Sequence, residues 1–165
     1  MDDVGFVIKN NYFSCWSLNI PPSINKTYKT SQSGGFFMSK NAKEWKQWFS
    51  EMCFWTLKKD LAGNKLFEED FKEELCIILH WFITSRSDID NRNKILLDAL
   101  QNGGVFANDK NILTKITHKH IVKKSHQGFM CVCKPLAHIS EKDLLRNFGE
   151  ETKYITDKFA CIIKN

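Results

Sequence analysis

The sequence has no apolar run approaching the roughly 20 residues that a bilayer-crossing helix requires, which excludes an ordinary transmembrane helix. Its first residues, MDDVGFVIKNN, open on two acids and lack both a basic n-region and a long apolar h-region. They do not read as a secretory signal, and a cytoplasmic protein is expected. No internal repeat and no low-complexity segment divides the 165 residues, which predicts a single domain over 1–165 with one hydrophobic core. A CxxC pair is missing too. Of the six cysteines the closest two, Cys131 and Cys133, stand two apart, a spacing that points both the same way from a strand and does not match a zinc knuckle. With Cys53 and Cys76 they are read as reduced thiols in apolar surroundings. The last absence is of acids: between Lys110 and His126 there are five lysines, three histidines and no carboxylate. Such a stretch either attracts phosphates or lines a solvated edge strand that resists aggregation, and composition leaves both readings open.

What is present has the balance of a globular protein, 42% hydrophobic and 26% charged with a net charge of +5. Residues 14–20, SCWSLNI, predict a first strand closed by Pro21 and Pro22. Residues 21–37 carry two prolines, two glycines, three serines and no acid. That is a long loop suited to binding, and Lys26, Tyr28 and Lys29 in it suit a nucleic-acid backbone. Residues 40–61 predict an amphipathic helix whose stripe of Trp45, Trp48, Phe49, Met52 and Trp55 faces the core, stopped by Gly63-Asn64. An acidic stretch at 67–74 suggests a further helical turn. LCIILHWFIT (75–84) is too continuous to be half exposed, so it is placed centrally in a sheet, with His80 as a satisfied core histidine. Ile95, Leu96, Ala99 and Leu100 give the next helix its apolar face, and Gly103-Gly104 ends it. ILTKITHKHIVKK then reads as a strand, SHQG as a hairpin turn, and 129–136 as the returning strand. The expected fold is α+β, a small mixed sheet packed against two main helices, with an extra C-terminal helical segment within 137–165.

The stretch that bears chemistry is SRSDIDNRNK (85–94). In extended backbone the side chains of Asp88 and Asp90 project to one face, and two carboxylates within about 5 Å repel unless a cation or a proton lies between them. Magnesium meets that need, since it takes hard oxygen ligands and keeps sites for water and phosphate. Asp90 is also placed to cap the following helix. Lys94, one turn beyond, is placed to touch a scissile phosphate or to pair with Asp90 or Asp98. Asp98 in turn is a candidate to hold Lys94 in position. Asp109 follows the glycine turn, and the expectation is that this turn swings it back over the strand ends.

The run RSDIDNRNKILLDALQNGGVFANDKNI (86–112) resembles the signature of the RusA family of crossover-junction endodeoxyribonucleases. In that signature a D-x-D-N-x-x-K-x-x-x-D-A-L helix is followed by a glycine turn and a further aspartate. PPSIN with Tyr28 resembles the family's proline-rich loop, and the likeness covers about residues 14–136. It implies a homodimeric Holliday-junction resolvase that nicks four-way DNA junctions with magnesium, manganese being a possible substitute, and with no small-molecule cofactor and no membrane. Carried over by position, Asp88, Asp90 and Asp109 are the metal-binding carboxylates and Lys94 the catalytic lysine. Arg86, Asn91 and Arg92 join Lys26, Tyr28 and Lys29 on the DNA backbone, and Lys115 and Lys119 extend the positive track. The family often has two adjacent acids where this chain has Asn108-Asp109. Two other readings stay open: a non-catalytic DNA-binding module of the same fold, and a nuclease for flaps and other branched DNA.

Overall fold

The structure, a computed structural model, describes residues 3–9, 12–22, 28–30, 36–61, 73–84 and 89–139. In chain order it contains strands β1 (Val4–Lys9), β2 (Tyr12–Ser17), β3 (Tyr28–Thr30) and β4 (Phe36–Met38), then helix α1 (Lys40–Leu61) and strand β5 (Leu75–Ile83). Helix α2 (Asp90–Asn102) and strands β6 (Ile112–Ile121) and β7 (Gly128–Pro135) follow. Five strands make one mixed sheet in the order β1-β2-β7-β5-β6, antiparallel throughout except for the parallel pair β5-β6. β3 and β4 pair with each other in a separate two-stranded ribbon. No helix among the described residues is long and apolar enough to cross a membrane.

The α+β arrangement is the expected one, with three corrections. Residues 21–37, expected as one long loop, contain β3 and all but the last residue of β4. The strand read over 14–20 covers Tyr12–Ser17 and is the second, because Val4–Lys9 pairs antiparallel along it. The SHQG turn does not make a hairpin: β6 and β7 both pair with β5, which lies between them. The cause is β5 itself, whose nine residues are all buried. A strand buried on both faces has no water at its edges, so its backbone N–H and C=O groups need a partner strand on each side. The parallel neighbour β6 is reached through the α2 crossover, and the turn then carries the chain about 10 Å across the end of β5 to β7. The acidic stretch up to 72 and the C-terminal segment from 140 fall outside the described residues, and 136–138 form a 3-10 turn.

Both helices cover one face of the sheet. Leu75, Ile77, Leu79, Trp81 and Ile83 of β5 meet Trp45, Phe49, Cys53 and Leu57 of α1 and Ile95, Leu96, Ala99 and Leu100 of α2 in one cluster. From Trp45 to Leu57 the buried positions of α1 step by four residues, so Trp55, two beyond Cys53, falls on the far side and is 56% exposed; it is not part of the core stripe. Lys46 meets Asp98, and the Ser50 hydroxyl donates to the Ala99 carbonyl, so the two helices lie side by side pointing the same way. Their seam is tight at Gly103, where a Cβ would stand 2.6 Å from Cys53 Cβ and 2.9 Å from the Ser50 carbonyl oxygen. Cys15, Cys53, Cys131 and Cys133 belong to the same core, and burial raises the thiols of Cys15, Cys53 and Cys133. Thiols so held are poor nucleophiles and poor metal ligands. The other sheet face carries two small clusters, around Phe82 with Met130 and around Cys76 with Ile78.

Candidate active site

Helix α2 begins at the end of β5, and its first turn sorts the residues of D-N-R-N-K by face. Ile89, the residue before the helix, is already in the right-handed helical region and offers no side-chain cap. The strand alternation invoked for Asp88 and Asp90 therefore does not extend to Asp90, which is the first helical residue and exposed. A carboxylate there is favoured by the positive end of the helix. Lys94, one turn on, is exposed as well, so Asp90 and Lys94 share the outward face.

The two residues between them with described side chains point inward. Asn93 is buried, and its Oδ1 accepts a hydrogen bond of 2.7 Å from Trp81 Nε1 of β5. Arg92 is also buried and donates through its guanidinium to the Pro21 carbonyl. Expected on the DNA backbone, Arg92 instead ties the start of α2 to the proline corner that follows β2. Its buried position leaves it out of reach of a phosphate. These two anchors fix how Asp90 and Lys94 are presented. An Asn93→Ala variant leaves the buried indole N–H without its partner, a loss of about 1–3 kcal/mol that a urea melt followed by tryptophan fluorescence reads directly. An unchanged midpoint would show that the bond does not anchor the helix.

Asp98 makes its ion pair with Lys46 at 3.4 Å, so its described partner is on α1 rather than Lys94. Asp109 is exposed and opens a short 3-10 turn, Asp109–Asn111. Asn108 caps that turn, its Oδ1 accepting from the Lys110 N–H at 3.0 Å, and the Asp109 N–H donates to Gln101 Oε1 at 3.2 Å. Gly104, with φ of 80°, makes the bend that leads there. The turn is thus held against the C-terminal end of α2, whereas Asp90 is at its N-terminal end, about 18 Å away along the axis. The strands agree: β6 starts beside Leu75, at the opposite end of β5 from the link to Asp90. The glycine turn does not swing Asp109 back over the end that bears Asp90, because a helix of 13 residues stands between them. Among the described residues no three histidine, cysteine, aspartate or glutamate side chains are grouped to hold a metal ion.

Asp88, Arg86 and Lys26 lie outside the described residues. Tyr28 and Lys29 fall in β3 and Asn91 in the first turn of α2, with only their backbone described. Lys115 and Lys119 are exposed on β6, two rungs apart on the face that Thr117 shares. Lys119 stands beside Trp81 in register and Lys115 beside Ile77, so the row climbs toward the end of β5 from which α2 departs. Sequence reading missed Gln101 and treated Asn108 only as a lost acid. An asparagine ahead of D-K-N is a recognisable cap signal, whereas nothing local announces Gln101.

The family model described as endodeoxyribonuclease RusA matches residues 19–127, a span that takes in α1, β5, α2 and β6. No curated protein matches the chain.

Proposed function

This chain belongs to the RusA endodeoxyribonuclease family, and from that premise we propose that it is a magnesium-dependent nuclease that resolves four-way DNA junctions as a homodimer. The observation that carries the reading is the pairing of exposed Asp90 with exposed Lys94 on the first turn of α2, held by the buried anchors Arg92 and Asn93 within the matched stretch. An acid and a base presented together to solvent by two buried polar ties are arranged for a ligand rather than for packing.

The carboxylates fit one magnesium ion only across two copies. Asp90 and Asp109 stand at opposite ends of α2, so a shared ion needs Asp90 from one copy and Asp109 from the other, with Asp88 assigned to the same ion by the motif alone. A two-fold dimer supplies that twice. When bound, magnesium would polarise the scissile phosphate and lower the pKa of an attacking water. Lys94 meets the negative charge that builds on the phosphate oxygens. Gln101 and Asn108 hold the turn that presents Asp109, and Lys115 and Lys119 attract the flanking backbone. The deciding assay offers labelled four-way, flap and linear duplex DNA to the full chain with and without magnesium. Paired nicks confined to the four-way substrate and dependent on magnesium support the proposal. Flap cleavage alone makes it a different branched-DNA nuclease, and binding without cleavage on any substrate removes the catalytic reading.

Removing Lys115 and Lys119 together is expected to weaken junction binding and to reduce the slope of log affinity against log salt by about one for each lysine that meets a phosphate. An unchanged slope would exclude β6 from the DNA face.

A further inference from the structure

The side of the sheet away from the helices carries three imidazoles that the nuclease reading does not use. His80 of β5 stands beside His118 of β6 in the parallel register, and His120 follows two residues on. The ring of His80 lies 4.6 Å from that of His118 and 5.3 Å from that of His120, nearly parallel to both, and His120 also stacks on Phe82 at 4.7 Å. His80 Nδ1 and His120 Nε2 are 3.0 Å apart, while Nε2 of His80 and Nε2 of His118 are enclosed without a hydrogen-bond partner.

We infer that this cluster is an acid-sensitive clasp, whose protonation loosens the edge strand β6, the bearer of Lys115 and Lys119, from the rest of the sheet. The geometry favours neutral rings, since a charged His80 carries a proton on an enclosed Nε2 that has no hydrogen-bond partner. A contact of 3.0 Å between two ring nitrogens works with one proton between them; a second proton turns donor against donor. Two stacked imidazolium rings at these separations repel across a partly buried site.

Among the described residues nothing nearby compensates. On the same face β7 contributes Lys134, four residues along from Met130, which stands beside His80, and β5 contributes only the thiol of Cys76. The turns at either end of β7 add Lys123, Lys124, His126 and His138, and no carboxylate lies on this face of β5, β6, β7 or β2 among the described residues. Burial, then His118 and His120, hold the pKa of His80 down to about 4, and burial, then His118, lowers that of His120. An unfolded histidine binds its proton near 6.5, so the clasp contributes fully above that pH and is lost as pH falls from there toward 4. β6 yields first because, among the described strands, it pairs with β5 alone, whereas β7 is bounded by β2 and β5.

The test is amide hydrogen exchange on the full chain without DNA, at pH about 7.5 and about 5, corrected for intrinsic rates. On acidification the amides of 117–121 are expected to lose about tenfold or more protection relative to those of β7. His80→Phe keeps a stacking ring and removes the proton site, so the difference between strands disappears. Equal loss in β6 and β7 overturns the proposal, as does an undiminished difference in His80→Phe. Should that variant fail to fold, the comparison of β6 with β7 in the unaltered chain decides alone. The measurement does not depend on the nuclease reading, which it leaves untouched whatever its outcome.

Discussion

A protein carrying Asp90→Asn is expected to bind a four-way DNA junction as tightly as the unaltered chain and to cut it about a thousandfold more slowly in magnesium. The first half of this outcome follows from position. Asp90 is exposed on the first turn of α2, so the amide meets no packing restriction. The fold loses only the attraction of a carboxylate to the helix end, about 0.3–1 kcal/mol. The anchors Trp81–Asn93 and Arg92–Pro21 are untouched, and Lys94 stays where it was. The second half follows from charge. An amide oxygen is a weak ligand for a hard cation, and removing one carboxylate leaves the phosphate facing fewer fixed negative groups and no well-held metal. Binding is read from a gel shift in calcium and cleavage from single-turnover rates in magnesium. Near-normal cleavage would withdraw Asp90 from the chemistry altogether.

Mixing that variant with Asp109→Asn is expected to restore activity that neither has alone. If each site takes Asp90 from one copy and Asp109 from the other, both homodimers carry two damaged sites. The mixed dimer gathers both lesions into one site and leaves the second intact. With random exchange of subunits about half the dimers are mixed, so nicking recovers to about a quarter of the unaltered level. The recovered product is the single nick, not the paired cut, because only one site of each mixed dimer works. Copies refolded together supply the sample, and copies mixed cold without exchange supply the control. No recovery after proven exchange would put both residues to work within one copy, against the 13-residue helix that separates them.

How much of this the sequence disclosed varied with how local each cause was. α1 and the α2 end at Gly103 were readable because period and turn chemistry are set by neighbours in the chain. The interior place of β5 was readable from its unbroken apolar run. The pairing of β6 was not, since a turn of suitable length looks the same whether it joins adjacent strands or passes a third. At the candidate site the motif singled out Asp90 and Lys94, and both are exposed on the first turn of α2. It did not tell Arg92 from a surface base, because burial depends on Pro21, 71 residues away. Nor did it reveal that Asp109 lies at the wrong end of α2 for a one-copy site, a matter of strand direction rather than of spacing.

The seam at Gly103 has a consequence of its own. The spacing of α1 from α2 is governed by a missing carbon atom, and the segment that starts there runs six residues to Asp109. An added methyl at 103 would act as a wedge, lifting the end of α2 and with it Gln101, whose amide steers the Asp109 turn. On the proposed two-copy reading, a change that touches neither DNA nor any ionisable group would then impair cutting through misalignment, and would cost the fold about 1–3 kcal/mol because backbone and Cβ atoms must yield.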